Sequence, residues 1–268
     1  MKVNILDFSK NKVGQIELPS HFDEVIRPDL IRRSVLSMQS YNRQPYGSMP
    51  EAGKRASIKL SKRRHDYKGT YGFGISRVPR KILSGKGSRW NWVGAFAPGM
   101  VGGRKAHPPK AIKIFIKRIN KKESKKAMRS AIAATLNKEA VMQRGHLIPK
   151  DYPFILDSKF ESLDKTKSVV DILNKLGFED ELKRAEVRKV RSGKGKTRGR
   201  KYKTRKGPLI IVSEENKVIK AAKNIPGVEA IDVKKLNIEI LAPGAIPGRV
   251  SLWTKDAIEK LSKENLFM

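Results

Sequence analysis

An uninterrupted run of 56 residues without an acidic side chain, Tyr67 to Lys122, constrains the fold of this chain more than any other sequence feature. The run carries fourteen lysines and arginines. Because like charges repel one another, a compact state would have to hold these side chains together without any counter-charge. We therefore expect this stretch to lie outside the hydrophobic core and to take its counter-charge from a partner.

A second basic segment has the same character. Arg188 to Lys206 contains eleven basic residues among nineteen and no acid, within a chain of 59 Lys+Arg, 26 Asp+Glu and net charge +33. A single run of this kind is usually a solvated loop. Two such runs in so basic a chain favour a polyanionic partner, with nucleic acid as the strongest candidate and an anionic membrane as the weaker one.

Other compositional features narrow the class of protein. No apolar run approaches the ~18 residues of a membrane span, and the N-terminus MKVNILDFSK lacks the apolar region of a signal peptide. Cysteine is absent, which excludes disulfides and thiolate metal sites. We expect a cytoplasmic protein that does not associate with membranes.

The first half of the chain begins with periodic segments and then loses them. Val3–Phe8 is typical of a strand, and Ile31, Val35 and Met38 share one face of a helix within residues 27–42. From Arg43 to Lys110 no period persists, and eleven of the 21 glycines lie there. A structureless stretch of this length predicts an extended loop that is not part of the core.

Regular patterns return after this loop. Asn120 and Glu123 have the spacing of a capping box, which predicts a helix over residues 120–145 with Met128, Ile132 and Leu136 on its buried face. Further predicted strands lie at 153–156, 208–212 and 228–233, and further helices at 165–178 and 215–224. Gly177 is placed to cap the first of these two helices at its C-terminus. A last helix begins at Thr254 as its N-terminal cap, and Trp253, just before it, is placed to pack on Ile258.

Strands thus alternate with helices, and the strands are short and apolar. This pattern predicts an α/β domain with a mostly parallel sheet covered by helices on both faces. The predicted organisation is a discontinuous globular domain (1–42 and 111–268), an extended internal loop (43–110), and a basic insertion within the globular domain (188–207).

Motifs of catalysis and cofactor binding fail in this sequence. GFGISR has Arg77 at the third glycine position of a dinucleotide fingerprint, and Val190 occupies the first glycine position of a P-loop ending at Thr197. The four histidines are scattered, and no nucleophile elbow is present. We expect no enzyme activity, no cofactor and no metal site.

The extended loop has the composition of an RNA-binding segment. Its cations neutralise phosphates and its glycines permit close approach. Four of its aromatic residues, Tyr71, Phe73, Trp90 and Trp92, either stack on splayed bases, form a local cluster or fill a protein core elsewhere. No recognition helix for duplex DNA is present. The residues predicted to contact RNA are Lys54, Arg55, Lys62, Arg63, Arg64, Lys68, Tyr71, Phe73, Lys81, Lys86, Arg89, Trp90, Trp92, Arg104, Lys105, His107, Arg191, Lys194, Lys196, Arg198, Arg200 and Lys201.

One family shares these patterns. NIPGVEAIDVKKLNIEILAPGAIPGRVSLWTKDAIEKL, residues 224–261, strongly resembles the C-terminal part of large-ribosomal-subunit protein four in its archaeal–eukaryotic form. YGFGISRVPR and GAFAPGMVGGRKAHPP resemble the long internal loop of that family. The resemblance covers nearly the whole chain, and the archaeal form fits best.

The resemblance implies a three-layer α/β domain and a loop threaded through large-subunit ribosomal RNA. It further implies that the loop tip helps to form the constriction of the peptide exit tunnel, opposite protein twenty-two and facing the nascent peptide. The matching tip residues are Ser76, Arg77, Val78, Pro79 and Arg80. A structural protein of the ribosome, in contact with neighbouring large-subunit proteins, is therefore expected.

Two other hypotheses come from different functional classes. The first is an RNA-modifying enzyme with a Rossmann-like cofactor domain, and the second is a nucleic-acid coating protein without sequence preference. Cofactor binding by the globular domain separates the first from a structural protein. A preference for one folded RNA separates the second.

Overall fold

The computed structural model describes residues 1–87 and 89–268, and the chain divides into two compact units. Unit 1 comprises Met1–Ser40 and Lys117–Met268, and unit 2 comprises Tyr41–Ile116. In chain order the strands are β1 (Lys2–Leu6), β2 (Lys12–Glu17), β3 (Arg80–Lys86), β4 (Arg89–Gly94), β5 (Ile155–Leu156), β6 (Lys189–Val190), β7 (Tyr202–Lys203), β8 (Leu209–Val212), β9 (Glu229–Asp232) and β10 (Ser251–Trp253).

The helices alternate with these strands, as the sequence predicted. They are α1 (Pro28–Tyr41), α2 (Lys121–Leu136), α3 (Lys138–Gln143), α4 (Thr166–Lys175), α5 (Glu179–Glu186), α6 (Lys217–Lys223), α7 (Ile238–Leu241) and α8 (Lys255–Lys263). The predicted α/β class is confirmed. The arrangement of the helices in three layers stays a prediction.

Two three-stranded sheets form the framework of unit 1. In the first, β1 lies between β2, which is antiparallel to it, and β5, which is parallel. In the second, β8 lies between β10 and β9, and all three strands are parallel. An isolated parallel bridge pairs Leu156 with Thr254, at the ends of β5 and β10.

The core of unit 1 contains the apolar faces that periodicity indicated. All four residues of β8 are buried, as expected for a central parallel strand between helices. Met128, Ile132 and Leu136 on α2 are buried in the same cluster, together with Trp253 and Ile258 at the start of α8. This core holds the parallel strands in position, and it therefore also positions the segments that follow the ends of these strands.

Helix ends agree with the sequence where the signal is local. Gly177, after α4, has φ +91° and donates its amide to the Asn174 carbonyl, which makes it the predicted C-terminal cap. The Thr254 hydroxyl accepts a hydrogen bond from the Ala257 amide at the start of α8.

The predicted capping box is wrong. Asn120 precedes α2, but its side chain makes no capping bond. Glu123 lies 3.4 Å from Arg33 of α1 instead, so an ion pair between helices has replaced the local bond. The single helix predicted for residues 120–145 is divided at Asn137, whose side chain accepts the Ala140 amide and begins α3.

Unit 2 contains more regular structure than the sequence indicated. Strands β3 and β4 pair as an antiparallel hairpin, from Arg80 opposite Gly94 to Lys86 opposite Arg89. The exposure of β4 alternates at every residue, so Trp90 and Trp92 share its half-buried face. The prediction of a loop without any stable period is therefore wrong for residues 80–94.

Candidate nucleic-acid interface

Unit 2 carries a large excess of positive charge and almost no core. Its sequence contains seventeen lysines and arginines and only two acids, Glu51 and Asp66. Among its described residues, Ala95 is the only buried apolar side chain. A segment that buries so little apolar surface cannot offset the entropy of its own ordering, which costs about 1–2 kcal/mol per residue for the backbone.

Several cations of unit 2 lie against aromatic rings. Arg77 lies 4.0 Å from the centre of the Tyr71 ring, and Lys68 lies 4.8 Å from that of Trp90. Such contacts orient a cation and contribute about 0.5–1 kcal/mol at an exposed site. They do not neutralise its charge, so these side chains remain available for an anionic partner.

Three of the four aromatic residues predicted to stack on bases lie in aromatic pairs, and the fourth, Tyr71, lies against Arg77. Trp90 contacts Tyr67 edge-to-face at 5.5 Å, and Trp92 contacts Phe73 in the same manner at 6.3 Å. The alternative of a local cluster is thus the arrangement found within unit 2. Phe73 retains 56% of its surface in solvent, the most accessible of the four, and stacking on bases stays a prediction.

Residues 76–80, the predicted tip, form a bend held by its own side chains. The Arg80 guanidinium donates to the Ser76 carbonyl oxygen at 2.5 Å and to the Ser76 hydroxyl at 2.9 Å. The Pro79 carbonyl accepts the Ala95 amide, and Arg80 begins β3. The bend therefore fixes the backbone, while Arg77 remains exposed and charged beside it.

The remaining candidate residues of unit 2 form separate groups. The structure does not gather them at one site but distributes them over the surface of unit 2. Exposed cations in the stretch before the bend are Lys62, Arg63 and Arg64, and those on the hairpin are Lys81, Lys86 and Arg89. A third group lies where the two ends of unit 2 meet: Lys54, Arg55, Arg104, Lys105 and His107.

A cavity of about 420 Å³ lies at this meeting place, between residues 48–54 and 104–112. Ser48 pairs with Lys110 in a parallel bridge, and its amide donates to the Pro109 carbonyl at 3.0 Å. Lys54, Arg104 and Lys105, each predicted to contact RNA, line the cavity. Lys54 is 50 residues from Arg104 and Lys105 in sequence, and the structure brings it to them.

The second basic segment forms a short arm on unit 1. Its ends pair through β6 and β7, and the Arg191 amide donates to the Lys201 carbonyl at 2.8 Å. Arg191 also donates through Nε to the Arg200 carbonyl at 3.0 Å. The other predicted residues of the arm are exposed: Lys194, Lys196, Arg198, Arg200 and Lys201.

A buried ion network holds the base of this arm. Glu181, fully buried on α5, accepts from His146 Nδ1 at 2.6 Å and from Arg184 at 2.6 and 2.7 Å. Arg184 also donates to the Lys206 carbonyl at 2.7 Å, where the arm rejoins the domain. The arm is therefore attached to a fixed point of the fold.

The protonation states within this network follow from burial and hydrogen bonding. Burial raises the pKa of Glu181, but the hydrogen bonds from Arg184, His146 and the Leu147 amide outweigh it and hold that pKa below its ordinary value. Burial lowers the pKa of His146 despite its bond to Glu181. A neutral His146 thus donates its Nδ1 proton to an ionised Glu181.

Comparison with known proteins identifies the family. The model of the ribosomal protein L4/L1 family matches residues 16–264. The large ribosomal subunit protein uL4 of Nanoarchaeum equitans is 49% identical over 268 residues, the full length of both chains. The uL4 proteins of Archaeoglobus fulgidus (42% over 264 residues) and Methanocaldococcus jannaschii (44% over 265) each align with 98% of this chain and 99% of their own length. The chain belongs to the ribosomal protein L4/L1 family.

Family membership confirms the resemblance carried by residues 224–261 and by the internal loop. Unit 1 also carries a group of cations that was not predicted from the sequence as a candidate RNA contact. Arg32, Arg33, Lys117 and Arg118 surround a cleft of about 320 Å³ beside α1. The signal available in the sequence was the Arg32–Arg33 pair on α1, and both side chains are exposed.

The carboxyl edge of the parallel strands in this L4/L1-family chain is filled by Glu161. Its carboxylate accepts from the amide and hydroxyl of Ser213 at 2.8 and 2.6 Å, from Asn216 at 2.6 Å and from the Thr254 hydroxyl at 2.5 Å. Ser213 follows β8 and Thr254 follows β10. Nucleotide cofactors of open α/β sheets bind at this edge, where here a protein side chain is held.

Within 1–87 and 89–268, no helix is both long and apolar enough to cross a bilayer. The same residues contain no group of three or more histidine or acidic side chains that could hold a metal ion.

Proposed function

We propose that this chain is a structural constituent of the large ribosomal subunit that binds ribosomal RNA through unit 2 and the second basic segment. Family membership and the full-length similarity to curated uL4 proteins support this proposal. Within the ribosome of the cytoplasm, its partners are large-subunit ribosomal RNA and neighbouring ribosomal proteins.

The observation that carries the proposal is the combination of charge and exposure in unit 2. Unit 2 contains seventeen basic residues, and only one apolar side chain is buried among its described residues. RNA supplies both the missing counter-charge and a surface against which such a segment is ordered. A protein partner would need an equally dense array of carboxylates.

We further propose that the bend at residues 76–80 contributes to the constriction of the peptide exit tunnel, where it faces the nascent peptide and protein twenty-two. Support comes from the family resemblance of this stretch and from the bonds between Arg80 and Ser76. A narrow passage requires a wall that keeps its shape. The Arg80–Ser76 bonds and Pro79 provide one.

An RNA-modifying enzyme is the alternative hypothesis, and the geometry favours the structural protein over it. The four donors around Glu161 occupy the sheet edge that a nucleotide cofactor would need. Equilibrium dialysis of the full chain against dinucleotide and adenosyl cofactors provides a check. Saturable micromolar binding would favour the enzyme.

The tunnel role is tested by placing a photo-crosslinking amino acid at Arg77 and assembling large subunits that carry a stalled nascent chain. Crosslinks to both ribosomal RNA and the nascent peptide are expected. The matched control carries the same group at Lys167, an exposed residue of α4 in unit 1, and should not reach the peptide. Crosslinks from residue 77 to proteins other than the nascent chain, with none to RNA, would refute both proposals.

A further inference from the structure

Close backbone contacts determine the shape of the cavity between residues 48–54 and 104–112 of unit 2. A Cβ atom on Gly47 would lie 2.3 Å from the Ala111 nitrogen, and one on Gly53 would lie 2.5 Å from the Arg104 nitrogen. The two stretches thus touch backbone-to-backbone at both glycines. Between these two contacts they separate and enclose about 420 Å³, within the range of small-molecule sites.

The walls of this cavity are largely apolar. Met49, Pro50 and Pro108 contribute to them, and Met49 leaves 55% of its surface in solvent. Ile112, at one end of the cavity, is 86% exposed. Apolar side chains that line one cavity and remain exposed are typical of a binding site.

The polar groups that line the cavity are predominantly cationic. Lys54, Arg104, Lys105 and Lys110 all contribute, and no acidic residue belongs to the lining. A ligand that fits this site has a flat or compact apolar part for the walls and negative charge on either side of it. A nucleotide within an RNA chain has this chemistry, because each base is flanked by two phosphates.

We propose that the cavity receives a single nucleotide extruded from the RNA, with the base between Met49 and the prolines and the flanking phosphates on the surrounding cations. This inference rests on the proposed RNA-binding function and specifies which RNA feature unit 2 selects. Proteins read RNA chiefly at bulges and loops, whose unstacked bases enter apolar or aromatic slots. The site would therefore contribute a preference for folded RNA, where the other cations contribute mainly affinity.

The test uses the full chain and three RNA hairpins of equal length. One contains a single bulged purine, the second has an abasic residue at the bulge, and the third is fully paired. The bulged purine should bind about tenfold more tightly than the abasic hairpin, since stacking of one base typically contributes that much. Equal affinities for all three, with steep salt dependence retained, would overturn the cavity proposal and leave RNA binding intact. If none of the three binds, the proposed function itself is contradicted.

Two variants that add the same aromatic ring test whether the preference for the bulged hairpin depends on the cavity. Ala52→Phe fills the cavity without changing its charge, and Ser57→Phe adds the same ring at an exposed position outside it. Ala52→Phe should reduce binding of the bulged hairpin to the level of the abasic one, while Ser57→Phe should retain the preference. Circular dichroism confirms that both variants are folded. Retention of the preference by Ala52→Phe would show that the base binds elsewhere.

A free nucleotide has the same chemistry as the extruded one, and competition distinguishes the two sources. Adenosine monophosphate at micromolar concentration should leave binding of the bulged hairpin unchanged, because the cations need both flanking phosphates. Displacement of the hairpin at that concentration would indicate a mononucleotide site and overturn the assignment to RNA.

Discussion

Gly85 and Trp90 face each other across the β3–β4 hairpin so closely that a Cβ atom on residue 85 would lie 2.2 Å from the Trp90 ring. The indole therefore lies on the backbone of the opposite strand. Lys68 and Tyr67 contact the same ring. The hairpin of unit 2 thus has one packed contact that a single methyl group would remove.

Gly85→Ala should open this hairpin. The added methyl group forces Trp90 away, and overpacking of this kind costs about 1–3 kcal/mol. Hydrogen exchange of residues 80–94, followed by mass spectrometry of the free chain, should accelerate about tenfold or more. Ser84→Ala, at an exposed neighbouring position, is the control and should exchange at the wild-type rate. Unchanged exchange in Gly85→Ala would contradict the packing described for Trp90.

The second basic segment should contribute to RNA affinity through its charge. Replacing Arg198, Arg200 and Lys201 with alanine should reduce the log–log slope of RNA affinity on salt concentration by about 2 units, at about 0.7–0.9 per phosphate contact. The control replaces Lys165, Lys167 and Lys175, which are exposed at α4, and has the same net charge. If both triple variants lower the slope equally, the segment acts only through net charge and makes no phosphate contacts of its own.

Glu161 should stabilise the edge of the sheet. In Glu161→Gln the amide NH₂ replaces an oxygen that accepts hydrogen bonds, so buried donors lose their acceptor at about 1–3 kcal/mol. Urea denaturation should report this loss of unfolding free energy. Glu139→Gln, on the exposed face of α3, should change stability by less than about 0.5 kcal/mol. Equal midpoints for the two variants would contradict the role assigned to Glu161.

His146 should make unit 1 sensitive to mild acid. Burial lowers the pKa of His146 in the folded state below its ordinary 6.5, so the unfolded chain binds the proton more readily. The stability contributed by His146 is complete above pH 6.5 and is lost as the pH falls from 6.5 towards the folded pKa. Asparagine at this position can donate to Glu181 but does not titrate. Between pH 7 and pH 5 the urea midpoint of His146→Asn should fall less than that of the wild type, and parallel curves would refute the assignment.

The sequence predicted those parts of the fold that depend on local signals. The cap at Gly177 and the burial of Leu173 on α4 can be predicted from a few neighbouring residues, and both predictions are confirmed. Strand β2 was missed because it lies at an edge and exposes nearly every residue, so no apolar pattern marks it. The bond expected between Asn120 and Glu123 was displaced by Arg33, 90 residues from Glu123 in sequence.

The candidate interface was predictable in composition and less so in geometry. The acid-free runs 67–122 and 188–206 indicated most of unit 2 and the arm, because charge adds up along the chain. Alternation in Arg89–Gly94 was available as a strand signal but was masked by the surrounding glycines. The cavity near Met49 depends on Gly53 meeting Arg104 across 51 residues, which no local pattern encodes.

Amide hydrogen exchange of residues 41–116, measured on the free chain and on the chain bound to purified large-subunit ribosomal RNA without other proteins, tests the central claim most directly. Unit 2 has almost no buried apolar surface of its own among its described residues. Outside the β3–β4 hairpin, we expect the residues of this unit to exchange rapidly in the free chain. The whole unit should become strongly protected once RNA is bound, with unit 1 protected in both states. A bound chain in which residues 41–116 still exchange as fast as in the free protein would contradict the claim that RNA orders unit 2.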